Sequence, residues 1–198
     1  MEPGRGVKIA ATCLTGTLLL AGCSGQSTAG AGANGPAAPA QPRNATQQGW
    51  VVTRVIDGDT FVAARANSVV KVRLIGIDTP ETVKANTPVQ CWGPQASQFA
   101  KDLLTGKVVL LEGDPTQSAK DQYGRRLEHV WTTTSNNAPA VNVNFYLVRE
   151  GFAKADDYGR PSSYAADYAA AQQAARAQRL GLWSPATCNG NTLRPATN

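Results

Sequence analysis

A small Greek-key β-barrel of five strands, with about three helices packed against it, is the fold class this sequence predicts. Three observations predict it. Short runs rich in Val, Ile and Thr recur between Trp50 and Trp131, separated by turn signals built on Gly, Asp and Asn. Helical periodicity enters only late, after Pro94 and again from Val143. No internal repeat and no second domain is visible.

The chain has 198 residues, of which 42% are hydrophobic, enough for one core. Its formal charge of +5 favours a polyanionic partner such as nucleic acid or an anionic surface. At the N-terminus, Arg5 and Lys8 precede an apolar run from Ile9 to Leu20 that ends Leu20-Ala21-Gly22-Cys23. Residues 1–22 therefore read as a signal peptide, with an apolar run too short to span a bilayer comfortably. Leu20-Ala21-Gly22-Cys23 resembles the lipobox of bacterial lipoproteins, which implies cleavage before Cys23, lipidation of its sulfur and an extracytoplasmic, membrane-anchored protein, shed or retained. With Cys13 removed and Cys23 lipidated, Cys91 and Cys188 remain as an even pair, for which a disulfide is the expectation in an oxidising compartment.

Residues 23–48 carry the lipidated Cys and a segment of Gly, Ala, Ser, Pro, Gln, Asn and Thr with one charge, Arg43. Such a composition buries little apolar surface and reads as a flexible linker. The folded domain is expected over 49–188. Its first run, Trp50 to Ile56, turns at Asp57-Gly58-Asp59 and returns through Thr60 to Ala64. After Asn67-Ser68, Val69 to Ile75 completes a three-strand meander. Pro80 stops the sheet, and 81–93 is a loop carrying Cys91 and Trp92. Ala96, Phe99, Ala100, Leu103 and Leu104 share one helical face, and Gly106 stands at the C-cap. Val108 to Leu111 is a buried strand, and Tyr123 to Trp131 a strand-pair candidate. Val143, Tyr146 and Leu147 mark a second helix closed by Gly151. Tyr164, Tyr168, Ala171, Ala175 and Leu182 mark a long third one, with Trp183 as its packing anchor. Residues 189–198 read as a disordered tail. Five short strands with late helices fit a barrel of the OB type.

Chemistry concentrates between Asp57 and Glu81. Asp57, Asp59, Asp78 and Glu81 would repel one another if folding gathered them, and a hard cation with oxygen ligands is the simplest remedy. The residues alone leave calcium and magnesium nearly equal. Arg73 adds a fork of donors suited to phosphate. Arg73 and Asp78 are an odd number of residues apart and would face opposite sides of an ideal pleat, so a bend or bulge is expected at Gly76.

Asp57-Gly58-Asp59-Thr60, Arg73-Leu74 through Asp78-Thr79-Pro80-Glu81, and Asp121-Gln122-Tyr123-Gly124-Arg125, in that order, resemble the thermonuclease (staphylococcal-nuclease-like) family. The likeness covers about residues 50–184, including Leu147 to Gly151 and Gly181-Leu182-Trp183. It implies an OB-fold barrel and calcium-dependent hydrolysis of DNA and RNA to 3′-phosphorylated products. Asp59 and Asp78 match the carboxylate ligands of calcium, Thr79 its carbonyl ligand, and Asp57 the acid behind them. Arg73 and Arg125 match the arginines on the scissile phosphate, Glu81 the general base, and Tyr123 a residue near the nucleotide phosphate. Two departures stand out: Gln122 replaces a frequent Lys, and Asp156-Asp157 stand where a base-stacking aromatic is expected, with Tyr158 shifted as the nearest substitute. The expectation is a monomer that acts on DNA and RNA without an obligate protein partner and contacts the membrane through its lipid. A noncatalytic OB module that binds nucleic acid or a surface polymer is the alternative. His129, Tyr164 and Tyr168 read as core rather than chemistry.

Overall fold

The computed structural model describes residues 35–43, 48–83, 85–136, 138–194 and 196, which belong to one compact body, Gly35–Asn198. The signal segment, Cys23 and the first part of the linker lie outside the described residues.

Five strands close on themselves. β1 (Trp50–Val55), β2 (Thr60–Arg65) and β3 (Ser68–Leu74) form the meander, and β5 (Val108–Gly113) pairs with β1 and with β6 (Arg126–Thr133). β3 then pairs with β6 in parallel, Val72 to Leu74 against Arg126 to Glu128, and this short seam shuts the barrel. Between β3 and β5 lies β4 (Ile77–Asp78), and β7 (Pro139–Asn142) extends the sheet beyond β6. This is the expected OB barrel. Apolar side chains of alternate strand positions, among them Val52, Phe61, Ala63, Val72, Val109, Leu111 and Val130, are buried in one cluster. Each contributes about 1.5–3 kcal/mol of transfer free energy where the side chain is large.

Three helices cover the barrel. α1 (Gly93–Leu104) has Pro94 in its first turn, buries Ala96, Ala100 and Leu104, and gives way to Gly106 at φ 73° just past its C-cap. α2 (Val143–Arg149) is capped by the Asn142 side chain, which accepts from the Phe145 N–H at 2.8 Å. β8 (Lys154–Ala155) pairs with β4, and α3 (Ala165–Ala177) follows. α3 is shorter than its periodicity suggests. Arg179 takes φ 55°, and the Leu180 N–H bonds back to the Ala175 carbonyl at 3.0 Å, a left-handed termination. Leu182 and Trp183 sit instead on a separate 3₁₀ turn, Gly181–Trp183. The break brings Gly181 against Gly151 so closely that a Cβ on it would lie 2.2 Å from the Gly151 carbonyl oxygen.

Two terminal segments differ from the sequence reading. Residues past Cys188 were expected to be a disordered tail, but the Cys91 N–H donates to the carbonyls of Thr192 and Arg194 at 3.2 and 2.8 Å, and the Ala196 N–H donates to Val89. The Cys91–Cys188 disulfide holds this end against the loop, with Cα atoms 5.8 Å apart. Within the expected linker, Arg43 is docked. Its N–H donates to Glu112 Oε1 at 2.7 Å and its guanidinium pairs with Asp167 at 2.9 Å over the Tyr164 ring.

Candidate active site

Two turns make the site. In the β1–β2 connection, the N–H groups of Ile56 and Asp57 donate to the Thr60 carbonyl at 2.8 and 3.2 Å, and the Asp57 carboxylate accepts from the Asp59 N–H at 3.2 Å. Gly58 lies directly on Thr79, where a Cβ would approach its side chain to 2.8 Å. The second turn follows β3. Gly76 has φ 74°, and a Cβ there would meet the Tyr168 ring at 2.8 Å, so both backbone and packing require glycine. Buried Asn144 pins this turn from α2, donating to the Ile75 carbonyl at 2.9 Å and accepting from the Val130 N–H at 3.0 Å.

The bend resolves the parity problem. Arg73, almost fully buried, reaches Asp59 Oδ2 with Nη1 at 2.9 Å and Asp78 Oδ1 with Nη2 at 3.2 Å. Asp59 Oδ2 also accepts from the backbone N–H and hydroxyl of Thr79 at 3.0 and 2.9 Å. Tyr158 completes the cluster: its hydroxyl accepts from Arg73 Nη2 at 2.6 Å and donates to Asp78 Oδ1 at 2.8 Å. The residue considered from sequence for stacking on a base thus has its hydroxyl tied to the carboxylate and guanidinium, while its ring stays largely exposed.

Charge in this cluster is out of balance. Burial, and then the neighbouring Asp59, push the Asp57 carboxyl up to about 7. Asp78 is also raised, chiefly by burial, although its hydrogen bond from Tyr158 and its contact with Arg73 oppose the shift. Burial alone would lower Arg73, but Asp59, Tyr158 and the other carboxylates hold it charged. Three carboxylates share one guanidinium, and the donors left over are all oxygen, which suits a hard cation. Among the described residues no three Asp, Glu, His or Cys side chains converge as a ready metal cage. A cation here would therefore need backbone carbonyl and water oxygens as well, a set that calcium accepts.

The remaining expected residues line the same cavity, about 630 Å³, from its rim. Glu81 Oε1 accepts from the N–H groups of Thr82 and Val83, both at 2.9 Å, so the side chain caps its own loop. Gln90 braces that loop: its Oε1 accepts from the Glu81 N–H and its own N–H donates to the Glu81 carbonyl, each at 2.9 Å. Arg125 is held by Asp121, whose Oδ2 accepts from Nε at 2.5 Å while Oδ1 accepts from the Tyr123 and Arg125 N–H groups at 2.9 Å. Hydrogen bonds from Arg125 and from those N–H groups overcome burial and keep the Asp121 carboxyl low. Tyr123 is exposed, with its ring 5.4 Å from the Arg125 guanidinium carbon. The structure thus joins Asp57, Asp59, Arg73, Asp78, Thr79 and Tyr158 directly, and places Glu81, Tyr123 and Arg125 around the same space. Gln90 and Asn144 were not singled out from sequence, and Asp121 was quoted within its motif but given no role. Asp121, two residues before Tyr123 in a Gly-containing turn, carried a readable Asx-turn signature; nothing local marked Asn144.

Residues 71–185 match the family model described as staphylococcal nuclease homologue, more than half of the chain. The thermonuclease of Staphylococcus hyicus is 40% identical over 151 residues, covering 76% of this chain and 85% of that protein. The thermonuclease of Staphylococcus intermedius is 42% identical over 136 residues, 69% of this chain and 76% of that one. A micrococcal nuclease of Shigella flexneri is 34% identical over 137 residues, 67% and 72% of the two chains. Taken with the closed barrel and the carboxylate–arginine cavity, these matches mean that the chain belongs to the staphylococcal nuclease family and is a phosphodiester-cleaving nuclease.

Proposed function

We propose that this nuclease is an exported, lipid-anchored enzyme that hydrolyses DNA and RNA with calcium and leaves 3′-phosphorylated products. One observation carries the reading: buried Arg73 bridges Asp59 and Asp78 at the floor of a cavity whose rim presents Glu81 and Arg125. Asp59, Asp78 and the Thr79 carbonyl would hold the calcium, with Asp57 behind them. When bound, the ion supplies positive charge beside the phosphate as negative charge grows there.

The chain's own residues account for the rest. Arg73 and Arg125 donate to the nonbridging oxygens of the scissile phosphate, and they bind the transition state more tightly than the substrate because the oxygens carry more charge there. The carboxylate of Glu81, released from its loop cap, orients a water and takes one of its protons as the water oxygen bonds to phosphorus. The bond from phosphorus to the 5′ oxygen breaks, and that oxygen leaves with a proton from solvent or a neighbouring donor. Tyr123 lies where it can contact the nucleotide phosphate, and Tyr158, whose ring is exposed, where a base can rest on it. A weak calcium site of few protein ligands is workable outside the cell, where such modules bind calcium with Kd about 10⁻⁴ to 10⁻³ M.

The test uses the protein without its first 34 residues, on single-stranded and duplex DNA and on RNA, with calcium, magnesium or a chelator. Cleavage restricted to calcium, with 3′-phosphate ends, is expected. Equal cleavage in the chelator would overturn the calcium assignment, and 5′-phosphate ends would overturn the assigned bond. For the anchor, Cys23→Ser in the full chain is expected to release the protein from the membrane fraction; unchanged fractionation would remove the lipidation reading.

A further inference from the structure

Away from the catalytic cavity, the barrel seam leaves a second opening. Only Val72 to Leu74 of β3 pair with β6, so Ser68 to Lys71 have no β6 partner. A cleft of about 740 Å³ lies there, between the β2–β3 turn and the connection that leads into β6. Its floor is the Trp50 indole, and two guanidinium groups rest on that one ring, Arg65 at 4.5 Å and Arg126 at 5.6 Å from its centre. Lys120, exposed, stands at the edge. Three cations thus converge where only one carboxylate is present, Glu128, whose Oε1 takes both Nε and Nη2 of Arg126 at 2.7 and 2.5 Å. Among the described residues neither Arg65 nor Lys120 forms an ion pair. Glu128 Oε2 is buried with no hydrogen-bond partner among the described residues, and Gly113 beside it leaves that space open, since a Cβ would come no nearer than 4.0 Å.

Like charges gathered on one ring, with a spare acceptor beneath them, describe a site for an anion that also carries N–H or O–H donors. A nucleic-acid strand has both, in its phosphates and in its bases and sugars. The cleft also adjoins the catalytic cavity. Leu127 lines both, and the neighbours Lys71 and Val70, Arg125 and Arg126, and Asp121 and Lys120 divide between the two sides. We propose that this cleft is a distal subsite of the nuclease, in which Arg65, Lys120 and Arg126 hold backbone phosphates of the substrate strand beyond the scissile position. Arg126 is preset by Glu128 and Trp50, whereas Lys120 adapts. The inference rests on the catalytic role proposed for the adjoining cavity, and it predicts that longer substrates bind more tightly than short ones.

The test compares a trinucleotide with a single-stranded oligonucleotide of about 20 residues, longer than the roughly 4–16 nucleotides an OB barrel covers. The variant is Arg65→Gln/Lys120→Gln, which spares the half-buried Arg126–Glu128 pair; an unchanged melting temperature shows that it folds. KM for the long substrate is expected to rise about tenfold with kcat unchanged, and the salt dependence of its binding to lose about 1.4 in log–log slope, two phosphate contacts on a single strand. Kinetics on the trinucleotide should match the unaltered protein. An unchanged KM for the long substrate, or an equal loss on both substrates, would overturn the subsite. If the unaltered protein cuts neither substrate, the catalytic reading fails instead. Fluorescence anisotropy with the long oligonucleotide in chelator then decides the subsite alone: weaker binding by the variant supports it, and equal binding overturns it.

Discussion

Among the described residues, two clusters of buried and half-buried acids behave in opposite ways. One lies under α3, where Glu112 accepts from the Trp131 indole at 2.7 Å, from the Tyr164 hydroxyl at 3.1 Å and from the Arg43 N–H. Beside it, Asp114 accepts from His129 Nε2 at 2.9 Å and from Ser163 and Thr116, while His129 Nδ1 meets the Tyr168 hydroxyl at 2.7 Å. Burial works against the Asp114 charge, yet those donors hold its carboxyl well below the usual range. The other cluster is the floor of the candidate site, where burial and Asp59 push Asp57 up to about 7. Desolvation opposes the charge of both Asp114 and Asp57, yet the two shift in opposite directions: the first network supplies a donor for nearly every oxygen, and the second leaves carboxylates facing one another. A satisfied network stabilises the fold, and an unsatisfied one marks where a ligand is expected.

The comparison is sharpened first at the rim of the candidate site. Arg125→Ala and Glu81→Gln should each lower kcat by about 10²–10³-fold with little change in oligonucleotide affinity, by analogy with other transition-state donors. Steady-state kinetics beside chelator-phase binding measures both, and near-normal kcat in either variant would reject its role. Next, Glu112→Ala should destabilise the domain by about 2–3 kcal/mol, because Trp131 Nε1 and the Tyr164 hydroxyl lose a buried acceptor. Denaturant unfolding reads this, and a loss below about 0.5 kcal/mol would show that the network is not the support described.

Protonation separates the clusters further. Burial lowers the His129 pKa below 6.5 despite Asp114, so the folded state disfavours the proton. Its contribution is fully present above the unfolded value near 6.5 and is lost as pH falls from there toward the lowered folded value. His129→Gln should flatten that part of the stability–pH curve, and an unaltered curve would contradict it. Asp57 has the reverse sign, since its folded pKa is raised: stability falls as pH rises from about 4 toward 7. The smallest effect follows. Asp57→Asn should raise the calcium-free melting temperature by about 2–4 °C, as expected for about 1 kcal/mol in a domain of this size, while weakening the shift produced by added calcium. A lower melting temperature without calcium would contradict the charge imbalance.

Much of the candidate site's floor was legible because its parts are short and local. Asp57-Gly58-Asp59 carries its own turn, and the odd spacing of Arg73 and Asp78 demanded a bend that Gly76 provides. Other features depend on partners far along the chain. Tyr158 was read as a surface for bases, and no local pattern showed that its hydroxyl finds Asp78, 80 positions away. The final segment read as a tail because no local pattern shows that its carbonyls meet the Cys91 N–H. The third helix read long because its apolar spacing continues to Leu182, whereas the left-handed Arg179 ends it earlier and lets Gly181 meet Gly151.

By itself the sequence determined the barrel strands of the meander, the helix faces and the cysteine pair, since periodicity, turn chemistry and composition act over a few residues, while the ordered motifs from Asp57 to Arg125 pointed to the candidate site through their resemblance to a family. Only the tertiary structure decided how charge is shared: that Arg73 bridges two carboxylates, that Asp114 is satisfied and Asp57 is not, and that two arginines rest on Trp50. Those outcomes depend on distance and burial, and both exist only once the strands have closed.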